Sequence, residues 1–181
     1  FDERPCFLIG HSVVPIPMKQ GAPAKEHYAY QKNGSCCLLA AIEPLTGRRL
    51  GQVYQQRTKK EFTLFMKKIA ATYPTAHKIK VVLDNLNTHN ASSFYEHLPA
   101  DEAFALSQRF EFYYTPKSAS WLNMIEIEFS ALAKACLDRR IATKEVLDQE
   151  LSAIIRERDA KGIKITWQFS IKAARSKFEP Q

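Results

Sequence analysis

The feature that most constrains the fold is a short apolar run, 78–83, that stops abruptly at Asp84. The run is rich in β-branched residues and too short for a stable helix, so it predicts a buried strand that delivers Asp84 to a loop. Helical patterns lie on both sides of it, one over 58–73 and the other over 91–98. This alternation of helix and strand predicts a sheet covered by helices, the α/β class of fold.

Further elements continue the alternation. The run 35–42 predicts a second buried strand, and the turn residues 44–47 join it to a third strand near 50–56, which makes a hairpin. A strand is predicted at 110–114, and helices at 120–137 and 144–158. The chain begins with the expected tail of a strand, 1–8, followed by a proline-bearing loop, 13–25. We therefore predict one domain over 1–181, a mixed α/β sheet flanked by helices.

Composition narrows the class of protein. With 45% hydrophobic residues in 181, the chain can bury a substantial core, so it is globular rather than disordered. A net charge of +7 favours phosphate polymers as partners. No apolar run approaches the roughly 18 residues of a membrane span, and no charged leader precedes an apolar segment. We expect a cytoplasmic protein with no membrane partner.

The four cysteines show no CxxC pair. Cys36 and Cys37 are adjacent within the apolar run 35–42, where alternate residues of a strand face opposite sides. This pattern predicts buried thiols in a reducing compartment rather than disulfides or a metal site.

Three acidic residues stand out by their positions. Asp2 lies within a predicted strand, Asp84 at the carboxyl end of another, and Glu126 inside an apolar helix. The carboxyl edge of an α/β sheet is where ligands usually bind. Carboxylates are suitable ligands for Mg²⁺, and two such ions about 4 Å apart catalyse in-line phosphoryl displacement. The acids therefore indicate a candidate metal-dependent nuclease site.

The residue pattern alone leaves alternatives open. An aspartate at a strand end is often a turn or cap residue, which would explain Asp84 without any catalysis. Glu126 and Glu128 point about 200° apart on a helix, yet both have apolar neighbours one turn away. Asp2 and Glu3 alternate across a strand, so only one of them faces a given side. Periodicity therefore does not identify which member of either pair faces the candidate site.

Three sequence blocks, taken in order, resemble one known family. The blocks are Asp2-Glu3-Arg4-Pro5, then Leu83-Asp84-Asn85-Leu86-Asn87-Thr88-His89, then Tyr114-Thr115-Pro116-Lys117-Ser118-Ala119-Ser120-Trp121-Leu122-Asn123-Met124-Ile125-Glu126. Together with the later run 136–140, they resemble the insertion sequence 630 family of bacterial transposases, which are related to the Tc/mariner elements. The resemblance spans nearly the whole chain.

The resemblance implies an RNase H-like fold with a mixed five-stranded sheet flanked by helices. It also implies an Asp-Asp-Glu (DDE) catalytic triad, and the matching positions are Asp2, Asp84 and Glu126. These three residues would be both catalytic and metal-binding, with two Mg²⁺ or Mn²⁺ ions as cofactors. The family further implies a strand ahead of Asp2 and an upstream helix-turn-helix DNA-binding region, which 1–181 does not contain.

Five neighbouring residues are candidates for contact with nucleic acid. Asn85 and His89 match the family block and would orient Asp84 or contact a phosphate, although a histidine beside a helix start is often a structural group. Lys117, Ser118 and Ser120 precede the Glu126 helix, where a cation and hydroxyls can touch the DNA backbone. A solvated loop with a serine helix cap explains these three equally well.

The function implied is a DNA transposase. In this reaction water attacks a phosphodiester at the transposon end, and the freed 3′-hydroxyl then attacks target DNA. The expected partners are the terminal inverted repeats, the target DNA and a second copy of the chain in the active complex, at the bacterial nucleoid. Two alternatives remain: a catalytically silent DNA-binding or regulatory fragment of a transposase, and another RNase H-like nuclease that acts on RNA–DNA hybrids or junctions.

Overall fold

A computed structural model describes residues 1–117 and 119–170. Its strands are β1 (Asp2–His11), β2 (Tyr30–Ile42), β3 (Arg49–Tyr54), β4 (Ile79–Leu83) and β5 (Phe110–Tyr114). Its α-helices are α1 (Lys59–Thr72), α2 (Ser92–His97), α3 (Ala100–Arg109), α4 (Ile125–Leu132) and α5 (Lys144–Ala160). A 3₁₀ turn (Ser120–Leu122) precedes α4, and a π turn (Ala133–Leu137) follows it. The mixed α/β class is confirmed.

The five strands form two sheets rather than one. β1, β2 and β3 pair in antiparallel fashion, and β4 pairs with β5 in parallel. The amino group of Phe1 donates to the carbonyl of Val82 at 2.9 Å, which links the start of β1 to β4. The predicted single five-stranded sheet is nevertheless not formed within the described residues.

Several predicted elements have different bounds in the structure. β1 and β2 extend well beyond the predicted strands, and their loop closes through bridges from Ile16 to Lys25 and from Lys19 to Ala22. Pro99 ends α2 as predicted, but it also precedes a further helix, α3, which the sequence pattern did not predict. An acidic first turn favours α3, and Ala103 and Leu106 anchor it in the core.

The core has two layers, one on each side of the three-stranded sheet. Cys37 and Leu39 of β2 face a layer built mainly from α1, α2, α3 and β4, and Leu38 and Ala40 face a layer built with α4 and α5. A strand buried on both faces explains why 35–42 is continuously apolar. The predicted buried thiols are confirmed, since all four cysteines are free and buried. Burial raises the pKa of Cys37 to about 12.

A buried ion network fixes the orientation of α4. Glu128 accepts hydrogen bonds from Arg49 of β3 at 2.7 and 3.0 Å and from Arg158 of α5 at 2.8 and 3.1 Å. The Arg49 and Glu128 side chains are 2% and 3% exposed. Burial alone would raise the pKa of Glu128, but the hydrogen bonds from Arg49 and Arg158 outweigh it and hold the pKa below its usual value. With Glu128 turned inward, Glu126 faces out.

In the described part of the chain, no helix combines the length and the apolar composition needed to cross a bilayer.

Candidate active site

The three predicted triad acids come from three separate elements. Asp2 is the first residue of β1, Asp84 directly follows β4, and Glu126 lies in the first turn of α4. Asp2 is buried, the Asp84 side chain is 33% exposed, and Glu126 is exposed. Burial, together with the charges of Asp84 and Glu126, raises the pKa of Asp2 to about 6. The three carboxylates therefore share one electrostatic environment.

The acids do not form a closed cluster in this arrangement. Within residues 1–117 and 119–170, no group of three or more His, Cys, Asp or Glu side chains lies close enough to hold a metal ion. Like charges repel, so carboxylates that face one another are expected to stay apart unless a cation lies between them. The oxygen-only ligand set is nevertheless the kind that Mg²⁺ and Mn²⁺ prefer.

Asn123 connects Asp2 to the start of α4. Its side-chain amide donates to the carbonyl of Phe1 at 2.7 Å and, more weakly, to Asp2 Oδ2 at 3.4 Å. The other oxygen of Asp2, Oδ1, accepts the backbone N–H of Glu3 at 2.8 Å. Asn123 is buried and lies one helical turn before Glu126, so it holds the Asp2 strand beside the Glu126 helix. Sequence reasoning missed this residue, although it stands within the third family-like block.

Asp84 is held by the loop that follows β4. Its Oδ1 accepts the backbone N–H of Leu86 at 3.3 Å and contacts Nδ1 of His89 at 2.5 Å. Nε2 of His89 lies 3.5 Å from Oε2 of Glu3. Burial alone would lower the pKa of His89, but Glu3 and Asp84 outweigh it and raise the pKa above its usual value. The His89 side chain contacts Asp84 and has no exposed surface. In this arrangement it is therefore not accessible to a DNA phosphate.

The two acids that periodicity left as alternatives have other partners. Glu3 pairs with Arg57 at 3.3 Å and is nearly buried, and Glu128 belongs to the ion network that joins β3, α4 and α5. Neither is open to solvent. Glu126, in contrast, is exposed beside Asp2, whose pKa it helps to raise.

The remaining candidates lie around the carboxyl edge of the parallel pair. The backbone N–H of Thr115 donates to the carbonyl of Leu83 at 2.9 Å, which places the start of the Lys117 loop next to Asp84. Asn85 and Lys117 are exposed there. Ser118 and the side chain of Ser120 lie outside the described residues, so their predicted contacts with DNA stay predictions.

Comparison with known families gives an independent result. A sequence model of the DDE superfamily endonucleases matches residues 1–148, a range that includes Asp2, Asp84 and Glu126. The chain belongs to the DDE endonuclease superfamily. No curated protein and no solved structure matches it. As a DDE endonuclease, the protein is an enzyme of the nuclease type, and members of this superfamily generally use divalent metal ions and act on DNA.

Proposed function

We propose that this DDE endonuclease is the catalytic domain of an insertion sequence 630 type transposase, which cuts DNA at transposon ends and joins the ends to target DNA. The observation that carries the proposal is the shared environment of Asp2, Asp84 and Glu126. These acids come from distant parts of the chain, yet two of them raise the pKa of the third. Acids that are separate in sequence but electrostatically coupled in the fold are typical of catalytic carboxylates.

We assign metal binding to the same three carboxylates. Bound Mg²⁺ or Mn²⁺, which we propose as two ions, would supply Lewis-acid stabilisation of the negative charge that develops at the phosphate during in-line displacement. The chain itself positions the acids: Asn123 fixes Asp2, His89 contacts Asp84, and α4 presents Glu126 to solvent. Asp2 is buried, which limits the access of water to that side of the site.

We further propose that the two sheets are parts of one RNase H-like sheet in the order β3-β2-β1-β4-β5. The hydrogen bond from Phe1 to Val82 supports this order, because it pairs the start of β1 with β4. A joined sheet would place Asp2 and Asp84 on neighbouring strands. That juxtaposition agrees with the effect of Asp84 on the pKa of Asp2.

The proposed substrates are the terminal inverted repeats and target DNA, with a second copy of the chain in the active complex, in the cytoplasm at the bacterial nucleoid. The net charge of +7 supports a DNA partner.

The test of this function is a cleavage assay on duplexes that carry the repeats flanking the coding gene, with Mg²⁺ or Mn²⁺ and with a supercoiled plasmid as target. Nicks at the repeat ends and joined products support the proposal. Cleavage confined to RNA–DNA hybrids would favour an RNase H-like hydrolase, and metal-independent cleavage would contradict the mechanism.

A further prediction concerns DNA binding by residues 1–181. We expect weak binding with little sequence preference, because the net positive charge supplies phosphate contacts and these carry no sequence information. In a plot of the logarithm of the association constant against the logarithm of the salt concentration, the slope should be about −0.9 for each phosphate neutralised. Fluorescence anisotropy with repeat and scrambled duplexes measures both properties. A strong preference for the repeat, or binding that is insensitive to salt, would contradict this prediction.

A further inference from the structure

We propose that His89, supported by Glu3, is a positioning residue that fixes the Asp84 carboxylate in the orientation needed to bind metal. The inference rests on the proposed metal site. It concerns residues that would touch neither DNA nor the ion.

The contacts on Asp84 use only one of its two carboxylate oxygens. His89 Nδ1 at 2.5 Å and the Leu86 N–H at 3.3 Å both bind Oδ1, and among the described residues no hydrogen bond reaches Oδ2. A carboxylate held by one oxygen cannot rotate freely, and its second oxygen stays available to a cation. Hydrogen-bonded partners of this kind orient metal ligands throughout the known metalloenzymes.

The imidazole is itself held firmly. Its ring is completely buried and packs against Phe1 and Phe62, each with its ring centroid 5.2 Å away. The His89 carbonyl accepts the hydroxyl of Tyr114 at 2.8 Å, and the His89 N–H donates to the carbonyl of Leu86 at 2.8 Å. Because both backbone and side chain are fixed, His89 is a rigid support rather than a mobile loop residue.

Glu3 extends the support to β1. Its Oε2 lies 3.5 Å from His89 Nε2, an ion-pair distance, and no closer acceptor reaches that nitrogen within the described residues. Arg57 contacts the other oxygen of Glu3 at 3.3 Å. Glu3 is adjacent to Asp2, so Glu3 and His89 connect the strand that carries Asp2 with the loop that carries Asp84. The pair thereby sets the spacing of two of the proposed metal ligands.

Two substitutions separate positioning from packing. His89→Phe keeps an aromatic ring packed against Phe1 and Phe62 but removes the N–H, whereas His89→Asn keeps an N–H donor near the Nδ1 position and loses the ring. The probe is Mn²⁺ alone, titrated into each folded variant without DNA and followed by electron paramagnetic resonance of the free ion. We expect His89→Phe to weaken Mn²⁺ affinity by about 10- to 100-fold. His89→Asn keeps the donor to Asp84 but loses the contact with Glu3, so it should weaken Mn²⁺ affinity less than His89→Phe does, even where thermal unfolding shows a less stable fold.

The outcomes distinguish this inference from the proposed function. If His89→Phe binds Mn²⁺ as tightly as the parent while Asp84→Asn weakens binding, the metal site stands and the positioning role is overturned. If Asp84→Asn has no effect, the metal site fails and the inference falls with it. Should His89→Phe not fold, Glu3→Gln decides the matter: weaker Mn²⁺ binding supports the role of the pair, and unchanged binding overturns it.

Discussion

Glu126→Gln is expected to abolish DNA cleavage while folding and DNA binding stay nearly unchanged. The substitution preserves the shape of the side chain but removes the charge that would hold a metal ion. Loss of this electrostatic stabilisation of the transition state costs several kcal/mol. At about 1.4 kcal/mol per tenfold, the cleavage rate should fall by roughly a thousandfold or more. Glu126 is exposed, so removing its charge leaves no buried partner unpaired.

The measurement is a gel assay of strand nicking with Mg²⁺ and with Mn²⁺, alongside binding of the same duplex. Glu145→Gln is the matched control, since Glu145 is an acid in the first turn of α5 with a 72% exposed side chain. This control should cleave at close to the parent rate. Full activity in Glu126→Gln would remove that residue from the triad.

Glu128→Gln, two residues further along the same helix, is expected to act on stability instead of chemistry. Glu128 and Arg49 are both almost completely buried, and the substitution leaves the Arg49 guanidinium with only the partly exposed Asp159 as an opposite charge. Breaking a buried ion pair by removing one partner typically costs about 3–5 kcal/mol. Chemical denaturation should show a loss of this size in the free energy of unfolding.

Two companion measurements test the cause of that loss. The double variant Arg49→Met with Glu128→Leu replaces both charges by apolar groups and should lose less stability than Glu128→Gln alone. In the parent, the pKa of Glu128 is held below its usual value of 4.5, so its stabilisation is complete above pH 4.5 and is lost as the pH falls through the lowered pKa. Glu128→Gln should remove this component of acid sensitivity. Equal stability of parent and Glu128→Gln would contradict the structural role of the network.

Local patterns were sufficient to predict much of the fold. The capping box at Thr58 and the β-branched run before Asp84 predicted α1 and β4 within about two residues, because both signals lie within short stretches of sequence. α3 was missed because Pro99, which ends one helix, also begins the next. The π turn after α4 likewise has no simple pattern in the sequence.

The choice between Glu126 and Glu128 illustrates why the site was harder to predict. Both glutamates have apolar neighbours, and the residue that buries Glu128 is Arg49, 79 positions away in the chain. Similarly, Asn123 contacts Asp2 across a separation of 121 residues. Periodicity describes one element at a time, so contacts between elements became visible only in the structure. The blocks that resemble the family were enough to predict the triad residues, but they gave no information on the contacts that surround them.

We propose that Asp2, Asp84 and Glu126 form one divalent-metal site. The most direct measurement is anomalous diffraction from crystals of the protein grown with Mn²⁺. We expect anomalous peaks within coordination distance of these three carboxylates, with Glu128 still bound to Arg49 and Arg158. Peaks that lie only elsewhere on the protein, or a manganese ion ligated by Glu128 in place of Glu126, would contradict it.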